Sequence, residues 1–163
     1  MNEQLVQLLL THAQIVFKYL RKIGASKEDA EDVIQEAIVK TIEYIDQVQL
    51  DSMRAWLFKV ALHRYYTLYK KQKIVSQFTD EELATLQHAF HLEEQIEQNE
   101  QQRIILEALQ GLQDNFQQLL ILKYFSDLSY KEIASILDVS EAHVKTYLAR
   151  ARKALRKKLE EIT

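Results

Sequence analysis

The chain has no proline and only two glycines, Gly24 and Gly111, among its 163 residues. A sheet protein of this length needs many tight turns, and tight turns depend heavily on these two residue types. Their scarcity therefore argues against an all-β fold, and it excludes a glycine-rich phosphate-binding loop. We expect an all-α protein.

Cysteine is also absent, which excludes disulfides and thiolate metal sites and fits a reducing compartment. No apolar run approaches the roughly 18 residues of a membrane-spanning helix. The N-terminus lacks the basic start and small-residue cleavage site of a signal peptide. These features predict a cytoplasmic protein with no direct insertion into a membrane.

The net charge of −3 conceals a segregated charge distribution. Residues 52–79 carry six Lys or Arg and no acid, residues 80–102 carry seven acids and no Lys or Arg, and residues 150–158 contain six bases. This pattern favours two basic surfaces separated by an acidic connector. Two ordinary solvated helix faces joined by a polar linker would explain the charges equally well.

Apolar spacing predicts a first helix over residues 3–23, which Gly24 ends. Ser26 and Asp29 then resemble a capping box that opens a second helix, whose apolar residues recur at steps of three and four. The opposite face of this second helix is polar and acidic, and such a face usually only keeps a helix soluble. It carries Glu28, Asp32, Gln35 and Glu36.

A third helix is predicted from Asp51 or Ser52 to about Lys73, and its buried side can use Leu57, Val60, Ala61 and Leu68. The same segment interleaves six basic residues with five aromatic ones, some of which we expect to pack inside. Aromatic rings among cations suit single-stranded nucleic acid, because the rings stack on bases and the cations meet phosphates.

Residues 74–102 lose clear periodicity and are rich in Gln and Glu, which predicts a linker. His88, His91 and Glu94 could share one helical face as metal ligands. Nothing nearby supplies the fixed supporting groups that a metal site needs, so we predict none. We also expect no cofactor and no enzymatic activity, since no set of nucleophile, base and orienting residue is recognisable.

The C-terminal third has the pattern of a helix-turn-helix in LSYKEIASILDVSEAHVKTYLARARKAL, residues 128–155. Ser129 and Glu132 predict a capping box at the start of a short helix. A three-residue turn follows at 138–140, where Asp138 tolerates the left-handed conformation that the turn requires. The next helix, 141–155, is then the recognition helix. An ordinary helical hairpin is the alternative.

The first turns of a recognition helix meet base edges in the major groove, and the basic residues after them reach phosphates. The residues predicted to bind DNA here are Ser140, Glu141, His143, Lys145, Thr146, Arg150 and Arg152.

Over nearly its whole length the chain resembles a bacterial extracytoplasmic-function (ECF) RNA polymerase sigma factor. DAEDVIQEAIVKTIEYI (29–45) resembles the helix that docks on the polymerase clamp, and RAWLFKVALHRYYTLYKKQK (54–73) resembles the promoter-melting helix. Residues 128–155 resemble the helix-turn-helix that reads the −35 element. Three such segments in this order are far more specific than any one of them.

The resemblance implies two small helical domains joined by an acidic linker. Residues 1–75 would form a region 2-like domain that binds core polymerase and recognises and melts the −10 element. Residues 76–102 would be the linker, and residues 103–163 a region 4-like domain that recognises the −35 element. The function implied is promoter-specific initiation of transcription by RNA polymerase.

The resemblance also assigns residues and partners. Asp32, Gln35 and Glu36 would face the β′ clamp of core RNA polymerase, and the β flap would be a second contact. The usual inhibitory partner is an anti-sigma factor, which is often membrane-bound. On the −10 side, promoter DNA would meet Gln47, Gln49, Trp56, Lys59, His63, Arg64, Tyr66, Lys70 and Lys71.

The chain departs from the family pattern at several positions. His63 stands where Asn is common, a Pro near Gln113 is missing, and a Gly near Asp138 is missing. In the recognition helix the common Gly, Thr and Arg are replaced by Ala142, His143 and Tyr147. We expect the recognition-helix changes to alter the −35 preference without abolishing binding.

Two other functions remain open on the sequence. A conventional helix-turn-helix regulator would bind duplex DNA alone, as a dimer at two half-sites, and would not need the basic aromatic helix at 54–73. A helical adaptor that binds only protein would have no measurable affinity for DNA.

Overall fold

The computed structural model describes residues 3–69, 84, 86 and 98–162, and within them the chain is helical with no strand. The predicted all-α fold is confirmed. The described helices are α1 (Glu3–Lys22), α2 (Lys27–Glu43), a 3₁₀ turn (Leu50–Ser52), α3 (Met53–Leu68), α4 (Gln98–Gln110), α5 (Asp114–Phe125), α6 (Tyr130–Leu137) and α7 (Glu141–Ile162).

The junction between α1 and α2 forms as the sequence predicts. Gly24 has φ 108°, a left-handed conformation that strains any residue with a Cβ. The Ala25 N–H donates to the Leu20 carbonyl at 2.9 Å, which closes the end of α1. The Ser26 hydroxyl then accepts the Asp29 N–H at 3.1 Å and so caps α2.

Helix α3 differs from its prediction in extent and in buried face. It ends at Leu68, because Tyr69 already has extended backbone angles, so the predicted continuation to Lys73 was wrong. Leu68 is 46% exposed, whereas Phe58 is fully buried. The reason is that α1, α2 and α6 all pack against α3, so its buried arc is wider than one stripe. That arc also includes Leu62 and Tyr65.

The predicted helix-turn-helix is present in α6 and α7. The Glu132 N–H donates to the Ser129 hydroxyl at 3.1 Å, and the Glu132 carboxylate accepts the Ser129 N–H at 3.2 Å, which completes the capping box. Asp138 has φ 57° and ψ 48°, the left-handed geometry expected of the turn. The Ser140 hydroxyl accepts the His143 N–H at 3.1 Å and caps α7.

A smaller apolar cluster holds α4 and α5 against the C-terminal half of α7. It includes Ile105, Leu109, Leu120, Leu155 and Leu159, and Leu86 is fully buried among the same group. The remaining turns of α7 are therefore anchored well beyond the recognition segment, which makes the whole helix a rigid support.

The N-terminal helices and the helix-turn-helix share one apolar core. Helix α3 packs against α6, and α1 packs against α5. Val16, Leu57 and Tyr65 of the first half belong to the same cluster as Leu119 and Ile133 of the second half. In this structure the two halves are therefore packed together and do not stand apart.

Candidate nucleic-acid interface

An open groove of about 390 Å³ lies between α2 and α3. Four of the residues predicted to meet the −10 element come together there: Trp56, Lys59, His63 and Arg64. The other lining residues are Glu36, Ala37, Lys40, Val60 and Thr67. The groove has an aromatic and aliphatic floor with a mostly basic rim, a surface on which an unpaired base can stack while its phosphate meets a cation.

Trp56 is held in place at one end of this groove. Its indole N–H donates to the Thr41 hydroxyl at 3.1 Å, and Thr41 is itself fully buried and donates to the Ala37 carbonyl at 2.7 Å. The Tyr44 ring lies 6.2 Å from the Trp56 ring at an angle of 56°. The indole is therefore positioned before any ligand arrives.

Arg64 and Glu36 form an ion pair across the groove, with Arg64 Nη2 donating to Glu36 Oε1 at 3.1 Å. The sequence assigns Glu36 to polymerase and Arg64 to DNA, and the structure places the two charges in direct contact. Lys59 and His63 are exposed on the same side of α3. Lys59 thus leaves a positive charge on the rim that no described carboxylate pairs with.

The remaining residues predicted for the −10 side lie elsewhere. Gln47 and Gln49 are exposed in the segment before the 3₁₀ turn. Tyr66 does not line the groove, since its hydroxyl accepts a hydrogen bond from the Gln118 amide of α5 at 2.6 Å. Lys70 and Lys71 lie outside the described residues, as do His88 and His91 of the predicted linker.

The polar face of α2 borders a second, mostly apolar groove of about 480 Å³ between α1 and α2. Asp32, Gln35 and Glu36 are all exposed on this helix, and Gln35 lines the groove. The sequence analysis did not identify the groove, although Leu10 on its rim is 46% exposed. The signal that could have indicated it is the run of apolar residues in α1, which exceeds what one buried stripe requires.

Helix α7 presents its predicted DNA-binding residues to solvent. Glu141, His143, Lys145, Thr146 and Arg150 are all exposed, and Ser140 forms the cap described above. Arg152 differs from these residues. Its Nε donates to the Tyr124 hydroxyl of α5 at 2.8 Å, so the guanidinium lies along the body of the domain.

A cluster of cations surrounds Tyr130 at the start of α6. The ammonium groups of Lys123 and Lys145 lie 4.4 Å and 5.6 Å from the centre of its ring. Arg152, followed by these two lysines, lowers the pKa of the Tyr130 phenol. Among the described residues no carboxylate pairs with these three cations, so this end of the helix-turn-helix carries net positive charge.

Two possibilities raised by composition find no support in the described residues. They contain no group of three or more His, Cys, Asp or Glu side chains that could hold a metal ion. None of their helices is long and apolar enough to cross a lipid bilayer.

Comparison with known families matches both halves of the chain. Residues 8–74 match the family described as Sigma-70 region 2, and residues 102–155 match the family described as Sigma-70, region 4. The sequence is 30% identical over 142 residues to the ECF RNA polymerase sigma factor SigM of Bacillus subtilis strain 168. That alignment covers 86% of this chain and 86% of SigM.

Solved structures share the fold. CnrH in complex with the cytosolic domain of CnrY superposes with a TM-score of 0.66 at 23% identity, covering 99% of this chain and 92% of CnrH. The sigma factor RpoE in complex with the anti-sigma factor NepR from Bartonella quintana gives a TM-score of 0.58 at 18% identity, over 97% and 95% of the two chains.

The helix-turn-helix, the groove beside Trp56, the two family matches and the similarity to SigM all agree. The chain belongs to the sigma-70 family of bacterial RNA polymerase sigma factors, within its ECF group, and directs transcription as a member of that family.

Proposed function

We propose that this sigma factor recognises a two-part promoter through two separate surfaces. The groove between α2 and α3 takes unpaired bases of the −10 region, and α7 docks in the major groove of the −35 element. The observation that carries the proposal is the convergence of Trp56, Lys59, His63 and Arg64 in one groove. A dimeric duplex-binding regulator has no use for such a groove.

In this proposal Trp56 helps to open the duplex by trapping bases that have left the stack. The fixed indole offers a stacking surface, and base–aromatic stacking contributes about 1 to 3 kcal/mol per base. Lys59 on the rim supplies a cation for the neighbouring phosphate. Lys70 and Lys71 continue the same positive charge along the chain.

Core RNA polymerase is the proposed partner of the polar face of α2. Asp32, Gln35 and Glu36 are exposed there and meet the β′ clamp, while the region 4-like domain meets the β flap. The apolar groove beside Gln35 gives this face a hydrophobic centre with a polar rim, a common composition for protein interfaces. The protein itself catalyses no reaction, because the polymerase makes the RNA, and it acts in the cytoplasm where polymerase and promoter DNA are found.

The domain boundaries proposed from the sequence are 1–75, 76–102 and 103–163. The −10 and −35 elements lie about 25 base pairs apart, or roughly 85 Å at about 3.4 Å per base pair. A compact chain of this length has a radius of gyration of about 15 Å. The two domains must therefore separate from their shared core before both surfaces reach DNA, and the linker supplies the reach.

An anti-sigma factor is the proposed inhibitory partner. The similar sigma factor RpoE was solved bound to the anti-sigma factor NepR, and we extend that kind of partner to this chain. A membrane-bound anti-sigma factor would hold the chain at the membrane without any insertion of the chain itself.

The test is reconstitution with bacterial core RNA polymerase on cognate genomic DNA, followed by sequencing of transcript 5′ ends. We expect discrete start sites that depend on this chain and share a two-part upstream motif. Nonspecific transcription together with duplex binding by the chain alone would indicate the dimeric regulator. Neither activity in a folded chain would indicate the adaptor.

A further inference from the structure

Three consecutive side chains on one face of α7 form a stacked column. The His143 and Tyr147 rings lie nearly parallel, with centroids 4.2 Å apart and planes at 15°. The Arg150 guanidinium carbon lies 5.2 Å from the centre of the Tyr147 ring. Positions separated by four and three residues share a helix face, so the column runs along the helix axis.

Tyr147 is the member that joins this column to the protein. It is half-buried and packs against the main apolar core, whereas His143 and Arg150 are exposed on either side of it. Both neighbours therefore rest on a ring that is itself held by the core. Arg150 also has no carboxylate partner among the described residues, so its fork of N–H donors remains available to a ligand.

The outermost ridge of α7 consists of small side chains. Ala142, Thr146 and Ala149 are exposed and lie on the side of the helix turned away from buried Leu148 and Leu155. A ridge this low lets the helix backbone approach base edges closely. The taller column then lies beside the ridge, at the depth of the bases that the ridge passes.

We infer that Tyr147 determines the sequence preference of the upstream promoter element. Its ring edge contacts a thymine methyl group, and its ring face holds Arg150 in position to donate to O6 and N7 of an adjacent guanine. An apolar contact suits the methyl group that only thymine presents in the major groove, and a guanidinium pairs bidentately with guanine. This inference rests on the proposed docking of α7 in the major groove.

The stack explains why the column gives specificity in addition to affinity. A free arginine side chain loses considerable rotamer entropy when it is fixed in one geometry. A guanidinium already resting on a ring loses less, so discrimination between guanine and other bases is sharper. Removal of the ring therefore relaxes the guanine preference as well as the thymine preference.

The experiment uses the holoenzyme, reconstituted from the full chain and core polymerase, and a promoter library randomised over the upstream element. The wild-type chain should select an element that contains a thymine beside a guanine. Tyr147→Phe keeps the ring and should select the same element. Tyr147→Ala should lose the thymine preference and weaken the guanine preference at the adjacent position.

A second measurement isolates the methyl group. Uracil in place of the selected thymine removes only that group, and it should weaken wild-type binding by about fourfold, the size expected for one buried carbon. Tyr147→Ala should show no difference between the two bases. Arg150→Lys keeps the charge but loses the planar fork, and should reduce the guanine preference by at least about fivefold.

The outcomes separate this inference from the proposed function. If the wild-type holoenzyme selects no upstream element, the docking of α7 is wrong. If it selects one that Tyr147→Ala selects equally, or one insensitive to the uracil exchange, the role of Tyr147 is wrong while the docking stands. Circular dichroism of each variant confirms that the chain is folded.

Discussion

Arg54 and Glu132 join the two halves of the chain although they are 78 positions apart in sequence. Arg54 Nε donates to one carboxylate oxygen at 2.7 Å and Nη2 donates to the other at 2.6 Å. Only 26% of the Arg54 side chain and 18% of the Glu132 side chain are exposed. A bidentate pair with this little solvent is among the stronger polar contacts in proteins.

Glu132→Gln should destabilise the packed arrangement by about 1 to 3 kcal/mol, because Arg54 would keep its charge in a mostly buried place without a full partner. The glutamine oxygen can still accept the Ser129 N–H, so the capping box is retained. Thermal and urea unfolding measure the loss. Glu160→Gln, at an exposed position of α7, is the matched control, and equal stability of the two variants would contradict a contribution from the pair.

Stability should also fall in mild acid through His12, which lies near the Arg54–Glu132 pair. Burial, and then the charge of Arg54, lower the pKa of His12 below its ordinary value of 6.5, against the opposing effect of Glu132. The folded state therefore resists protonation, and the contribution of neutral His12 is lost as pH falls from about 6.5 through the lower folded value.

Urea unfolding of the wild type at pH 7.5 and at pH 5.5 tests this dependence, with His12→Gln as the comparison. We expect the wild type to lose stability between the two conditions and His12→Gln to lose less. Arg54 lowers the pKa of Glu132 below its ordinary value of 4.5, so the loss from Glu132 comes only at lower pH. An unchanged drop in His12→Gln would exclude His12 as its source.

Ser129→Ala should cost about 1 kcal/mol, since it leaves the Glu132 N–H at the start of α6 without its acceptor. Ser135→Ala, on the exposed side of the same helix, controls for the loss of a hydroxyl. The two variants are compared by denaturant unfolding. If both lose the same amount, the cap has no special role.

Lys145→Ala and Arg150→Ala should each weaken binding of the holoenzyme to a promoter with an upstream element. A phosphate contact adds about 1 to the slope of log K against log salt, so a lost contact makes the slope shallower by that amount. Titrations at several salt concentrations give the slope. Arg103→Ala in α4, where the guanidinium pairs with Glu100 and Glu107, should leave it unchanged.

Trp56→Ala should reduce promoter opening more than it reduces formation of the closed complex, because the indole meets only bases that have left the duplex. Permanganate reactivity of unpaired thymines reports opening, and mobility shift at low temperature reports the closed complex. Trp56→Phe retains a ring for stacking and should recover part of the opening. Equal losses in both measurements would argue against a role in melting.

Much of this fold is written in local sequence. The left-handed backbone at Gly24, the capping box of Ser129 and Glu132, the turn at Asp138 and the cap at Ser140 all follow from residues within four positions of one another. Such features depend on short-range hydrogen bonds and backbone sterics, and the same side chains make them in almost any surrounding structure.

The candidate site was predictable in its residue types and less so in its geometry. The mixture of rings and cations around Trp56 indicated a nucleic-acid surface, but the pairing of Arg64 with Glu36 depends on how α2 packs against α3. Tyr66 contacts α5 for the same kind of reason. In α3 apolar residues occur on several sides, so periodicity could not distinguish exposed Leu68 from buried Tyr65.

The sequence by itself determined the helices, their ends, the helix-turn-helix and the family. Only the tertiary structure decided that α3 packs against α6, that Arg54 meets Glu132, and that Tyr147 rests on the core beneath His143 and Arg150. Local propensity and capping act within one turn of helix, whereas these contacts form only when distant segments bury their apolar faces together.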